Sequence, residues 1–224
     1  MIIPLSEMVT KYDLKITGCL HIGAHDGLEI QKYSDCGIPH CILFEPQMQH
    51  FVNCFNAASS TNYEAHKLAL GSSEGTITMH CEPGGQSSSC LLPTKHTVQY
   101  PEIVFNKRED VTMTTLDTFM HERTDKLQYN FINIDVQGYE LEVFKGAVKT
   151  LEHIDYVYSE VSRLDLYEGC VLVEELDEFL SKYNFKRVLT DWAGIPNPVT
   201  QPELGTDGTW GDALYVKEND DVGI

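Results

Sequence analysis

The chain has 224 residues, of which 42% are hydrophobic and 10% aromatic. This composition supplies a sizeable core and excludes a disordered chain, while the length fits one domain. The 16 basic and 34 acidic residues give a formal net charge of −18. Such a surface disfavours nucleic acids and anionic membranes as partners, because both are bound mainly through basic side chains.

The start of the chain and its cysteines predict a cytoplasmic location. The opening segment, MIIPLSEMV, has no basic region ahead of an apolar one, unlike a secretory signal peptide. No apolar run reaches the roughly 18 residues of a membrane span. The seven cysteines form no C-x-x-C pair, so neither a zinc ribbon nor a redox motif is indicated. Free thiols in apolar runs are typical of a reducing compartment.

Short apolar strands alternate with helical periods, which predicts an α/β domain on a mostly parallel sheet of about seven strands. The predicted strands are 18–23, 41–45, 63–70, 76–80, 131–135, 155–161, 186–192 and 212–217. The predicted helices are 28–36, 116–123, 139–151 and 171–183, and another opens at Pro46. The last two strands have no helical pattern between them, so we expect an antiparallel pair at one edge.

Apolar residues at the 3.6-residue period predict the buried faces of these helices. In the helix after Pro46 they are Met48, Phe51, Val52 and Phe55, and in 139–151 they are Leu141, Phe144, Val148 and Leu151. His21 lies inside the first strand and is predicted to pack in the core.

The pattern predicts a single domain over residues 1–218. Segments 71–115 and 193–210 are predicted to be loop-rich elaborations, because small polar residues, glycine and proline interrupt the regular pattern there. Residues 219–224 are predicted to form a flexible tail.

Ligands of open parallel sheets bind at the carboxyl ends of the strands. The first strand ends in Gly23-Ala24-His25-Asp26-Gly27, and its glycines permit a tight turn and the close approach of a ligand. The second strand ends at Glu45, which can accept two hydrogen bonds from a ribose diol. A glycine turn followed by an acid is typical of adenosine cofactors. The alternative is an ordinary strand–turn–helix with a solvated acid.

His25 decides between the adenosine cofactors. It stands at the middle position of the dinucleotide fingerprint, where a pyrophosphate needs glycine. S-adenosylmethionine has no phosphate, and its ammonium and sulfonium groups favour nearby carboxylates such as Asp26 and Asp135. The sequence therefore favours S-adenosylmethionine over a nicotinamide or flavin dinucleotide.

The segment FINIDVQGYELEVFKGA (131–147) resembles the hallmark of FkbM-type methyltransferases, a strand ending in I-D-V-E-G followed by a helix. Further family-like motifs are IGAHDG (22–27), LFEP (43–46), LALGSSEG (68–75), SSSCLLP (87–93), TTLDTF (114–119) and WGDALYVK (210–217). The resemblance covers roughly residues 18–217. The chain departs from the commoner family form at His25, Asn133 and Gln137, where that form has Asn, Lys and Glu.

The resemblance implies a Rossmann-like class I methyltransferase fold, with an antiparallel edge strand and helices on both faces. It also implies an S-adenosylmethionine-dependent O-methyltransferase that releases S-adenosylhomocysteine and acts on a hydroxyl of a sugar, glycan or glycosylated metabolite. The three departures leave a second reading open, in which the chain is a catalytically inactive cofactor-binding module in a larger assembly. A nicotinamide-dependent oxidoreductase is a third.

Site residues follow from strand ends and from the resemblance. Cofactor contacts are predicted for Gly23, Ala24, His25, Asp26, Gly27, Glu45, Ala69, Leu70 and Asp135. Catalytic roles are predicted for Asp135, for Glu160 as acceptor contact or base, and for His25 as an alternative base. Acceptor contacts are predicted for Gln137, Tyr167 and Ser88. No metal ligand is predicted, although two acids at one crevice leave a divalent cation as an alternative.

The predicted partner is a small-molecule or glycan acceptor, with neither nucleic acid nor membrane. A homodimer is left open.

Overall fold

The computed structural model describes residues 3–125, 127–194 and 208–218. The strands are β1 (Cys19–Ile22), β2 (Cys41–Phe44), β3 (Glu64–His66), β4 (Ala69–Leu70), β5 (Gly75–Cys81), β6 (Lys107–Thr114), β7 (Phe131–Ile134), β8 (Tyr156–Ser162), β9 (Phe185–Ala193) and β10 (Trp210–Lys217). The helices are α1 (Leu5–Lys11), α2 (Ile30–Asp35), α3 (Met48–Ala58), α4 (His96–Gln99), α5 (Leu116–His121), α6 (Glu140–Lys145) and α7 (Val173–Ser181), and a 3₁₀ helix spans Thr150–His153.

Seven strands form one sheet in the order β3-β2-β1-β7-β8-β10-β9. Neighbours from β3 to β8 pair in parallel, and β10 is antiparallel to both β8 and β9. The predicted fold class is therefore confirmed. The antiparallel strand lies one place in from the edge, between β8 and the edge strand β9.

The central strands β1, β2 and β7 are buried at every position, as expected for a sheet covered on both faces. Residues of α1, α2 and α3 pack in one core cluster, and residues of α5, α6 and α7 pack in another with alternate residues of the same strands. His21 is 3% exposed, in agreement with its predicted place in the core.

A second sheet, in the order β4-β6-β5, corrects two predictions. The strand predicted at 63–70 divides, because β3 pairs with β2 while β4 pairs with β6 in the smaller sheet. Segment 71–115, predicted to be loop-rich, contains the long antiparallel pair β5–β6. Strand β5 agrees with the strand predicted at 76–80, but few residues of β6 are buried, so its apolar alternation is too weak to predict a strand.

Helix α3 buries a different face from the predicted one. Met48, Val52 and Phe55 are 50%, 45% and 52% exposed. The buried residues of α3 are His50, Cys54 and Ala58. His50 is held by Asp26 at its Nδ1, and this polar contact fixes the rotation of the helix with its small residues inward.

The helix predicted over 139–151 is shorter in the structure. α6 ends at Lys145, and the chain then turns into the 3₁₀ helix. A Cβ on Gly146 would stand 2.0 Å from the carbonyl oxygen of Gly71. This close approach of two chain segments requires glycine and ends the helix early.

No described helix has both the length and the apolarity that a membrane span needs. All seven cysteines are free thiols. Most of the predicted elaboration at 193–210, and the predicted tail at 219–224, lie outside the described residues.

Candidate active site

A cavity of about 470 Å³ opens at the carboxyl ends of β1, β2, β7 and β8. Its walls fall into two parts, which we call the β1–β2 half and the β7–β8 half. The β1–β2 half contains Gly23, Ala24, His25, Glu45, Ala69 and Leu70, and the β7–β8 half contains Asp135, Gln137, Glu160, Tyr167 and Trp210. The loop 82–95 contributes a third wall with Gly85, Ser87 and Ser88.

The glycine turn brings backbone against the cavity. Gly23 has φ +82°, and a Cβ there would stand 1.9 Å from the carbonyl oxygen of Asp135. The N–H groups of Gly23 and Ala24 both donate to the carbonyl of Phe44, at 3.0 and 2.9 Å. The turn is thus tied to both neighbouring strands, and only glycine fits at its first position.

Glu45 lies beside this turn and is 4% exposed. Its carboxylate accepts the backbone N–H of His25 at 3.0 Å and of Gln47 at 2.7 Å. Burial nevertheless raises the pKa of Glu45 to about 7. Two backbone donors leave lone pairs on both oxygens, so the group keeps the capacity to accept the hydroxyls of a diol.

His25 and Asp26 turn toward α3. The His25 ring stacks on His50 with centroids 3.9 Å apart and planes 24° apart. His50 Nδ1 and Asn53 Nδ2 lie 2.8 and 3.0 Å from Asp26 Oδ1. Asp26 and Gly27 consequently do not line the described cavity, although both were predicted to contact a cofactor.

His25, Asp26 and His50 place candidate ligand atoms within 4.8 Å of one another. Rings that lie face to face direct their lone pairs side by side, whereas metal ligands must converge on one point. His25 Nε2 also donates to the carbonyl oxygen of Gly84 at 2.8 Å. We therefore interpret these residues as a hydrogen-bonded cluster that attaches the 82–95 loop to the glycine turn.

Gln137 connects the carboxyl groups of the β7–β8 half. Its Nε2 donates to Asp135 Oδ1 and to Glu160 Oε2, each at 2.8 Å. Its Oε1 lies 2.9 Å from the Tyr167 hydroxyl, which is also 2.9 Å from the carbonyl of Ser87. The sequence expectation that Asp135 and Glu160 border one crevice therefore agrees with the structure.

Desolvation within the cavity raises the pKa values of both Asp135 and Glu160, and the nearby charge of Asp135 raises that of Glu160 further. Glu140 is a third acid close to this pair and is itself buried, with a pKa that burial raises to about 7. It accepts the backbone N–H groups of Val136 and Gly138 at 3.1 and 3.2 Å. Glu140 thus shapes the turn after β7, and the pair Asp135–Glu160 is left facing the cavity.

The remaining predicted acceptor residues are well ordered by protein contacts. Tyr167 is 3% exposed and Ser88 is 6% exposed. The Ser88 hydroxyl accepts the N–H of Glu82 at 3.2 Å. Both residues line the cavity, so the prediction that they contact an acceptor stays open.

Several cavity residues were not predicted as site residues. Trp210 Nε1 donates to the Tyr100 hydroxyl at 3.1 Å, and His96 packs against Tyr100 and Tyr167. Asp212 is 6% exposed and accepts the Tyr158 hydroxyl. The WGDALYVK motif contains Trp210 and Asp212, but only the antiparallel register of β10 on β8 brings them to the cavity.

The charges on the cavity walls favour one class of adenosine cofactor over another. Among the described residues that line the cavity, five are Asp or Glu and none is Lys or Arg. A pyrophosphate would meet carboxylates without a basic partner, whereas a cationic cofactor would be stabilised. The glycine turn, the Glu45 carboxylate beside it and the acidic walls fit S-adenosylmethionine.

Solved structures share this fold. Magnesium protoporphyrin IX methyltransferase (ChlM) from Synechocystis PCC 6803 matches with a TM-score of 0.52 and 8% identity, over 95% of this chain and 76% of that one. The methyltransferase domain of bacterial CtHen1-C matches with 0.50 and 6% identity, over 96% of each chain. Such low identities show the fold alone, which is that of the Rossmann-like class I methyltransferases.

Sequence comparison gives the family. The Methyltransferase FkbM domain matches residues 21–187, well over half of the chain. The chain is also similar to 2-O-methyltransferase NoeI from Sinorhizobium fredii (strain NBRC 101917 / NGR234), with 26% identity over 174 residues, which are 73% of this chain and 71% of that protein. The chain belongs to the FkbM methyltransferase family and is an S-adenosylmethionine-dependent methyltransferase. The family resemblance and the predicted enzyme class are confirmed.

Proposed function

We propose that this methyltransferase transfers a methyl group to a hydroxyl of a sugar, glycan or glycosylated metabolite. The observation that carries the proposal is the pair Asp135–Glu160, which lines the cavity toward the carboxyl ends of the adjacent strands β7 and β8 and is joined by Gln137. A hydroxyl nucleophile must lose its proton, and a carboxylate with a raised pKa is suited to receive it near neutral pH. The similarity to a 2-O-methyltransferase supports the same reaction.

The β1–β2 half would hold the cofactor. S-adenosylmethionine supplies an electrophilic methyl group on a sulfonium. Glu45 would accept hydrogen bonds from the ribose hydroxyls, Gly23 and Ala24 would bring backbone close to the methionine portion, and Asp135 would accept hydrogen bonds from its ammonium group. Ala69 and Leu70, which are 6% and 3% exposed, provide an apolar wall for the adenine ring.

In the β7–β8 half, Glu160 acts as the base. It is the acid of the pair on the side of β10, where the aromatic residues Tyr100 and Trp210 line the cavity. His25, the alternative base, is a weaker candidate because its Nε2 donates to Gly84. Most of the rate then comes from holding the hydroxyl in line with the methyl group and excluding water.

The walls also favour an acceptor without negative charge. A phosphate or carboxylate in the β7–β8 half would lie near Asp135, Glu160 and Asp212, and like charges at this range are destabilising. An aromatic wall suits the apolar face of a sugar ring. We therefore favour neutral glycans as acceptors.

The test is methyl transfer from labelled S-adenosylmethionine to a panel of neutral saccharides and glycosylated metabolites, read by mass spectrometry. The proposal predicts a methyl ether on at least one member. It also predicts that Glu160→Gln lowers kcat at least about 100-fold, while its affinity for S-adenosylhomocysteine stays within about twofold of wild type.

Tight cofactor binding with no transfer to any hydroxyl in the panel would contradict the proposal. That result would favour the alternative of an inactive cofactor-binding module. A thermal shift with NAD and none with S-adenosylmethionine would contradict both.

A further inference from the structure

Every polar atom of the Gln137 side chain has a partner inside the protein. The Nε2 group has two hydrogens, and two carboxylates accept them at 2.8 Å each. The Oε1 atom lies 2.9 Å from the hydroxyl of Tyr167. The side chain is therefore engaged with the walls of the cavity, and its amide nitrogen stands between Asp135 and Glu160.

The backbone at Gln137 is held in an unusual conformation. Its φ is +55°, in the left-handed region that residues other than glycine, Asn and Asp seldom adopt. Its carbonyl accepts the Ser89 hydroxyl at 2.8 Å, and a Cβ on the following Gly138 would stand 2.6 Å from the Cβ of Cys170. Strained residues of this kind persist where the surroundings determine the position of a functional side chain.

The charges of Asp135 and Glu160 explain why an amide group between them is stabilising. Two carboxylates that one side chain joins inside a cavity are stabilised by a shared proton or by a positive partner. Among the described residues that line the cavity, there is no Lys or Arg that could act as this positive partner. The amide NH₂ of Gln137 has partial positive charge on two hydrogens, and each hydrogen meets one carboxylate.

We propose that Gln137 is a positioning residue that takes the place of a cation between Asp135 and Glu160, so that transfer proceeds without a divalent metal. This inference rests on the proposed function, because Glu160 is the base that Gln137 holds. Asp135 is thereby held for the cofactor and Glu160 for the acceptor. The link through Tyr167 to Ser87 joins the same unit to the 82–95 loop.

Two variants separate this role from simple packing. Gln137→Glu keeps the size of the side chain but replaces both donors with a third carboxylate, and three carboxylates form an oxygen-rich site of the kind that Mg²⁺ or Mn²⁺ prefers. Gln137→Leu removes the donors without adding charge. In chelator-treated buffer, we expect both variants to lose at least about 30-fold in kcat while binding S-adenosylhomocysteine within about fivefold of wild type.

The responses to metal and pH then differ between the variants. Added Mn²⁺ is expected to restore the activity of Gln137→Glu at least tenfold and to bind it as one ion per chain by titration calorimetry. It should do neither for wild type or Gln137→Leu. In Gln137→Leu the acidic limb of the kcat profile should move about one pH unit upward, since hydrogen bonds to the ionised acids are lost.

Gln128→Glu is the matched control, since Gln128 is an exposed residue outside the cavity lining that gains the same charge. It should keep the wild-type kcat, pH profile and response to metal. The inference is overturned if chelation abolishes wild-type activity, or if Gln137→Leu keeps the wild-type kcat and pH profile. It is also overturned if Mn²⁺ neither binds nor restores Gln137→Glu. Failure of the proposed function itself would appear separately, as an unchanged kcat in Glu160→Gln.

Discussion

The Glu45 carboxyl links cofactor binding to pH. Burial raises its pKa from 4.5 to about 7, so the folded chain favours the protonated form. Because the folded pKa lies above the unfolded value, the stability that Glu45 contributes is present below about pH 4.5 and falls as pH rises to about 7. A ribose diol needs the ionised form as acceptor, so ligand affinity should change in the opposite direction.

We therefore expect the affinity for S-adenosylhomocysteine to rise roughly tenfold between about pH 6 and 8, measured by titration calorimetry. In Glu45→Gln the affinity should be weaker and almost independent of pH over this range. An equally steep rise in Glu45→Gln would assign the titration to another group.

Two glycines with similar backbone angles allow a matched comparison. Gly23 has φ +82°, and a Cβ added there would lie 1.9 Å from the carbonyl oxygen of Asp135. Gly37 has φ +73°, and a Cβ added there would have no atom within 4 Å. Gly37→Ala should cost only the left-handed conformation, about 1 kcal/mol. Gly23→Ala should cost more than about 3 kcal/mol and abolish ligand binding.

Urea denaturation measures the loss of unfolding free energy in Gly23→Ala and in Gly37→Ala. Equal losses of unfolding free energy in the two variants would contradict the close approach at the glycine turn.

Single residues at strand ends could be predicted from the sequence, because the ends of parallel strands meet at one edge. Gly23, Glu45, Asp135 and Glu160 are such residues, and all four line the cavity. Asp212 could not be predicted in this way. Its place opposite Glu160 depends on the antiparallel register of β10, which no local pattern specifies.

At the scale of elements, α3 shows where a periodicity argument fails. Its large apolar residues and its small residues both recur at helical spacing, and tertiary contacts, the bond of His50 to Asp26 and the packing of Cys54 and Ala58 in the core, go with burial of the small set. Hydropathy favours the large residues, and the structure buries the small ones. Strand β5 agrees with the strand predicted at 76–80, whereas its partner β6 was not predicted, since few residues of β6 are buried.

Substitutions at adjacent positions of α3 test this rotation. Phe55 is 52% exposed and Cys54 is 0% exposed. Phe55→Asp should change the unfolding free energy by less than about 0.5 kcal/mol, whereas Cys54→Asp should cost more than about 3 kcal/mol because it buries an unpaired charge. Thermal and urea unfolding of the two variants provide the measurement. A larger loss of unfolding free energy in Phe55→Asp than in Cys54→Asp would contradict the observed rotation and favour burial of the face that the sequence predicts.

At the scale of the whole molecule, the net charge of −18 and the acidic cavity act in the same direction. We expect a neutral saccharide acceptor to be methylated with kcat/KM at least about tenfold above its phosphorylated counterpart at low salt. Raising the salt to about 0.3 M should reduce this ratio, because exposed charges are screened. A preference for the phosphorylated acceptor at either salt concentration would contradict an acidic acceptor site.

The overall fold was the most predictable level. The alternation of buried strands and helices specifies a parallel sheet with crossovers, and the motif order specifies the family. The smaller sheet and the arrangement of the 82–95 loop depend on long-range contacts, such as His25 with Gly84 and Tyr167 with Ser87. Such contacts leave no periodic signal in the sequence.

The most direct test of the cofactor site is calorimetric titration of S-adenosylhomocysteine at about pH 8 into wild type, Glu45→Ala and the control Gly37→Ala. We expect one site per chain with micromolar affinity in wild type and Gly37→Ala, and a loss of affinity of at least about 100-fold in Glu45→Ala. Absence of binding to wild type, or unchanged affinity in a folded Glu45→Ala, would contradict this prediction.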